Sequence, residues 1–115
     1  MNSEFFGGAL AWEAIALLYE GLLRLAPTIG ARVGYAAALG EAREAEAGLS
    51  ALGAIPPDEV VDDQPYWALR GYLLKRLRRT AEAKGAFERA VALSQDPAVR
   101  DFLGRALIRP PSRAC

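Results

Sequence analysis

The chain has 115 residues, 52% of them hydrophobic, with 14 basic and 14 acidic residues and therefore no net charge. That length suits a single domain, and the many Ala and Leu residues are the composition of packed helices. The absence of histidine removes the commonest general base and metal ligand at neutral pH, and a single cysteine, Cys115, rules out a disulfide framework or a CxxC metal site.

The first strong helical pattern covers Ala9 to Leu25, where Trp12, Ile15, Tyr19, Leu22 and Leu23 recur at three- and four-residue steps. Trp12 and Tyr19 read as core anchors. Pro27 stops this helix and Thr28 suits the cap of the next. The second helix, Ile29 to Leu39, is rich in small residues (Gly30, Ala31, Gly34, Ala36, Ala37, Ala38) that permit close packing, with Val33 and Tyr35 supplying bulk. Gly40 marks a turn. A third helix spans Arg43 to Leu52, with Ala45, Leu49 and Leu52 inward and Glu44 and Glu46 outward. Residues 53–65, GAIPPDEVVDDQP, break the pattern at Pro56 and Pro57. Asp58, Glu59, Asp62 and Asp63 make them an acidic surface loop that also caps the following helix. Those carboxylates lack EF-hand order and its central glycine.

The fourth helix is expected over Pro65 to Arg78, with Trp67, Leu69, Leu73, Leu74 and Leu77 as its apolar set and Trp67 as a further core anchor. The fifth follows Thr80 as N-cap and runs to Leu93, with Glu82 at its positive end and Ala83, Ala86, Phe87, Ala90, Val91 and Leu93 inward. Asp96-Pro97 opens a sixth, with Val99, Phe102, Leu103, Ala106 and Leu107 as its stripe. Residues 1–8 read as a flexible lead-in or an expression remnant, 9–107 as the helical domain, and 108–115 as a disordered tail.

No catalytic arrangement emerges from these elements. Ser3, Ser50, Ser94 and Ser112 have no partner pattern, no Gly-rich phosphate loop is followed by Lys and Ser/Thr, and Cys115 stands in a loose tail. The expectation is a non-enzyme without cofactor or metal. The first eight residues lack the basic start and cleavage site of a signal peptide, and no apolar run reaches membrane-spanning length. A cytoplasmic protein with no membrane role is therefore expected. The zero net charge hides a split. Residues 1–69 hold 3 basic and 10 acidic side chains, a balance of −7, and residues 70–115 hold 11 and 4, a balance of +7. Such asymmetry fits a polyanionic partner, or attraction between the halves within one molecule or between copies in a homodimer.

Trp67, Gly71, Ala83, Phe87, Ala90 and Pro97 fall at or near the spacing of one repeat, and the segment resembles a tetratricopeptide (TPR) repeat. Two antiparallel helices that cross closely need small residues at the crossing and large ones in the gaps. On that template Tyr72, Lys75 and Arg76 lie on the face that lines a concave groove. With Arg79, and with Arg32 on the second helix, they are the candidate partner-binding residues. Clustered arginines hold carboxylates bidentately. An acidic protein segment, nucleic acid, and a merely solvated helix end are all compatible with this basic stretch.

The likeness extends beyond one repeat. WEAIALLYEGLLRLAPT, with Trp12, Ile15, Leu18, Tyr19, Leu25 and Pro27, resembles the helix that opens the TPR-like C-terminal extension of bacterial extracytoplasmic-function (ECF) sigma factors. AEAGLSAL (residues 45–52) and the stretch from Pro65 to Leu103 follow the same extension in order, so the resemblance covers about residues 11–107. It departs at Gly34-Tyr35-Ala36, where the family carries Asn-Arg-Ala, and at Arg78, where the family's turn carries glycine. Polymerase-binding helices and a promoter-reading helix-turn-helix would lie upstream of Met1, and no recognition helix stands within these residues. The chain is expected to be either a C-terminal fragment or a free-standing relative.

The resemblance implies an all-α fold of about six helices, in TPR-like antiparallel hairpins stacked as a right-handed superhelix. It implies a regulatory module of transcription that binds a protein or peptide segment, or the sigma factor's own domains and RNA polymerase, without reading a promoter itself. A stand-alone TPR adaptor, a homo-oligomerisation module and a small-molecule sensor with a pocket beside the small-residue helix stay open as alternatives.

Overall fold

The computed structural model describes residues 3–94 together with residues 101 and 105, with backbone alone at 3–7 and 9. The described residues form helices α1 (Ser3–Leu25), α2 (Ile29–Ala42), α3 (Ala45–Gly53), α4 (Gln64–Arg76) and α5 (Thr80–Leu93), with a 3-10 turn at Pro57–Glu59 and no strand. The fold is all-α, as expected. The chain divides into two compact units, Met1–Val61 and Asp62–Cys115.

In the first unit α2 packs against both α1 and α3. Helix α1 extends further back than the sequence pattern indicates, to Ser3 rather than Ala9. It stops at Leu25 because Pro27 lacks a backbone N–H and disfavours helical geometry at the residue before it. The Thr28 Oγ1 accepts a hydrogen bond from the Ala31 N–H at 3.1 Å, the N-cap expected from the sequence. Helix α2 continues through Gly40, where a turn was expected. Gly40 is buried on the face that also carries Val33, Ala36 and Leu39, so packing outweighs its weak helix propensity of about 1 kcal/mol. The turn falls instead at Arg43 and the extended Glu44, and α3 starts at Ala45. Ala16, Ala38 and Leu39 form a core cluster, with Ile15, Tyr19, Tyr35, Ala47 and Ala51 packed against it.

Tyr19 keeps its expected inward place. A β-carbon added at Gly34 would lie 2.5 Å from the Tyr19 hydroxyl oxygen, so the ring crosses directly over bare backbone. Trp12 does not keep its place. It is 36% exposed and is no core anchor, because α1 buries only a narrow strip and Ala16 is the one described α1 residue that is fully buried. In the loop after α3 the acidic residues Asp58, Glu59 and Asp62 are exposed as expected. Ile55 and Val60 between them are buried and anchor it.

The second unit is an α4–α5 hairpin. The Asp63 Oδ2 accepts from the Tyr66 N–H at 3.0 Å and Pro65 occupies the first turn, both in line with the sequence. Helix α4 ends at Arg76, two residues early. The Arg78 N–H donates to the Lys75 carbonyl at 3.0 Å and the Arg79 N–H to the Leu74 carbonyl at 2.9 Å, with Arg78 at φ 64°. These bonds make a Schellman termination with arginine in the left-handed position. Thr80 is not the cap of α5 but its first residue. Arg79 holds the cap position without a side-chain cap bond. The hairpin core joins Tyr66, Gly71, Leu73 and Leu74 to Ala83, Ala86, Phe87 and Ala90. A β-carbon at Gly71 would lie 2.9 Å from the Phe87 ring, so the expected close crossing at Gly71 is present. Trp67 is half-buried, with its ring edge-on to Tyr66 at 5.1 Å. The expected sixth helix and tail lie outside the described residues, except Asp101 and Arg105, which are helical and ion-paired with each other.

Candidate functional site

Three surfaces bear on function. The first is the C-terminal end of α4. Tyr72, Lys75 and Arg76 are exposed there, and the Arg76 guanidinium carbon lies 5.6 Å from the centroid of the Tyr72 ring. Spacing of three and four residues puts all three side chains on one helix face, and the cation over the ring stabilises that grouping. The cations also suit the negative end of the helix dipole. Arg79, expected to join them, makes two hydrogen bonds to Glu82, at 2.7 and 3.0 Å. That pairing holds the Glu82 carboxyl below its ordinary value, with a smaller contribution from Arg70. The structure thus groups Tyr72, Lys75 and Arg76 and gives Arg79 a carboxylate within its own hairpin.

Arg32 belongs to the other unit. It stands half-buried in the first turn of α2 and lines a pocket of about 230 Å³ with Leu23, Tyr35, Ala51, Ala54 and Ile55. The Tyr35 hydroxyl donates to the Glu20 Oε2 at 3.0 Å. Burial, then the bond to Glu20, push the tyrosine pKa above its ordinary value. At the other end of α2, Arg43 pairs with Glu13 at 3.1 Å, and that bond holds the guanidinium above its usual range. Glu20 and Glu13 therefore clasp α1 to α2 at two points.

The third surface is α1 itself. Leu10, Leu17, Leu18, Leu22 and Leu25 are exposed, Leu18 at 72% and Leu25 at 85%. Ile15, Leu18, Tyr19 and Leu22 line a shallow concavity on it. Reasoning from periodicity missed this surface by assigning one inward stripe. The signal was present in Leu10, Leu17, Leu18 and Leu25, which fall off that stripe and make α1 apolar around most of its circumference. Among the described residues, no group of three or more metal-ligating side chains could hold an ion, and no helix is long and apolar enough to cross a membrane.

The chain is similar to an uncharacterized protein of Rhizobium meliloti (strain 1021), 40% identical over 84 residues, which are 72% of this chain and 19% of that protein. The chain thus spans less than a quarter of its relative's length. No family model matches the chain, and no solved structure matches it.

Proposed function

We propose that the chain is a non-catalytic protein-interaction module of transcription regulation, of the type that forms the TPR-like C-terminal extension of a bacterial ECF sigma factor. It works in the cytoplasm. The observation that carries the reading is the apolar surface of α1. Five exposed leucines on one helix are far more than scattered surface hydrophobics, and such a patch marks a surface that another polypeptide covers. The basic face of Tyr72, Lys75 and Arg76 adds charge recognition of an acidic segment. The Rhizobium relative supports the larger setting, because there the matching segment is 19% of a longer chain. In a sigma factor the partner would be the rest of that protein, with its polymerase- and promoter-binding regions. The module gates polymerase engagement and reads no promoter itself.

The test is calorimetric titration of this chain with the portion of the Rhizobium relative outside the matching segment. Association that is lost in a Leu18→Glu/Leu22→Glu variant of unchanged helicity is the expected result. If that portion binds neither the chain nor core RNA polymerase, the sigma-type reading fails. A salt-sensitive dimer of the chain in sedimentation, with no binding to that portion, would replace it by homo-oligomerisation, in which the −7 and +7 halves of two copies meet.

A further inference from the structure

We propose that the pocket among α1, α2 and the end of α3 binds a small amphipathic carboxylate, whose apolar body fills the pocket and whose carboxylate pairs with Arg32. The inference goes beyond the interaction module and rests on different residues. Its first support is shape. The pocket measures about 230 Å³. An engineered apolar cavity of roughly 150 Å³ holds benzene, so this one has room for a ring with a short chain. Ala51 and Ala54 create the space, since a longer side chain at either position would occupy it. Leu23 and Ile55 complete an apolar wall. The Tyr35 ring forms another side and is held in place through its hydroxyl by Glu20, at 3.0 Å. A mostly apolar cleft with one or two fixed polar groups is the usual make-up of a small-molecule site.

The second support is charge. Among the described residues, the Arg32 side chain has no carboxylate within ion-pair distance. The carboxylates of Glu13 and Glu20 are engaged by Arg43 and Tyr35. Arg32 also stands in the first turn of α2, which carries no acidic residue. The unsatisfied N–H groups of a helix start are positive, so a cation there is disfavoured and an anion is welcome. A carboxylate at the pocket mouth would meet the guanidinium in bidentate geometry and offset both charges. The apolar remainder of the ligand supplies binding energy by leaving water.

The experiment titrates the intact chain with 3-phenylpropionate and, separately, with its neutral amide, 3-phenylpropionamide, while backbone amide shifts are followed by NMR. Saturable shifts are expected at Arg32, Tyr35, Ala51, Ala54 and Ile55, with the acid binding about tenfold more tightly than the amide, the order of one charge-assisted hydrogen bond. Arg32→Gln should bring the acid down to the amide's affinity, and Ala54→Leu should abolish both by filling the mouth. Both variants are checked by thermal melting. Should Ala54→Leu fail to fold, Arg32→Gln alone decides. Equal affinity for acid and amide, shifts that never saturate, or shifts confined to Leu18, Tyr19 and Leu22 on α1 would each overturn the proposal. None of these results bears on the α1 leucine variants, so the two readings fail independently.

Discussion

Arg78 is the one non-glycine residue with a positive φ among the described residues, at 64°. An L-residue in this conformation crowds its own Cβ against the following carbonyl, at a cost of about 1–2 kcal/mol, and glycine avoids that cost. Arg78→Gly should therefore raise stability by about 1 kcal/mol, less than the full strain because glycine also frees the unfolded chain. A rise in the urea midpoint with unchanged slope would confirm it, and a fall would mean that the Arg78 side chain contributes more than its backbone costs. Gly71 presents the opposite case. A methyl group there would strike the Phe87 ring near its attachment, at 2.9–3.0 Å, and Phe87 is buried and cannot swing away. Alanine is the better helix former, yet overpacking should win and Gly71→Ala should destabilise the hairpin by about 1–2 kcal/mol. An unchanged melting temperature would show that α4 and α5 can separate without loss. At Gly34 the same substitution costs less, since the atoms above it are the far end of the Tyr19 side chain, which can shift.

Among the elements, α1 is bound to α2 by a strip of small contacts and by two polar clasps. The Tyr35–Glu20 clasp has a pH signature. The tyrosine pKa is raised in the folded protein above its ordinary value of 10.0, first by burial and then by Glu20. The folded state thus holds the proton more tightly than the unfolded state. The clasp contributes fully below that ordinary value and is lost as pH rises through it and beyond. Tyr35→Phe should lower stability at neutral pH by about 1 kcal/mol, the worth of one partly exposed hydrogen bond. The gap between variant and parent should close at alkaline pH, and denaturant midpoints at three pH values would show whether it does. The outer face of α1 behaves differently. Leu18 is 72% exposed, so Leu18→Glu should change stability by less than about 0.5 kcal/mol. A larger loss by thermal melting would mean that this face is covered in solution.

At the scale of the whole molecule the charge split has at least one internal outlet. Arg89, in the basic half, pairs with Asp62, in the acidic half, at 3.3 Å within the second unit. That pair is exposed and contributes little by itself. Lys75 and Arg76 are exposed on α4. Reversing both, Lys75→Glu/Arg76→Glu, should abolish partner binding while helicity by circular dichroism stays intact, and binding by the parent should weaken as salt rises. Binding retained by the reversed chain would remove the α4 face from the interaction surface and leave α1 as the docking element.

Much of this molecule was legible in its sequence because much of it is local. The caps at Thr28 and Asp63 are hydrogen bonds spanning three residues, and a side chain three positions from its target finds it whatever the rest of the chain does. Glu82 at the start of α5 follows from the same short range, whereas the small residue at the α4–α5 crossing, Gly71 beneath Phe87, followed from the repeat spacing. The helical stretches follow from hydrophobic period and from proline. Two of the errors share one cause. Trp12 and Gly40 were placed by their own chemistry, an indole as an anchor and a glycine as a turn. Their fates depended on which neighbour packed where. Only the tertiary structure decided that α1 would bury Ala16 and leave five leucines in water. It alone set Arg32 at the edge of a pocket and paired Arg89 with a residue 27 positions away. Helix formation depends on neighbours along the chain, whereas burial and charge pairing depend on neighbours in space, and a single sequence records only the first directly.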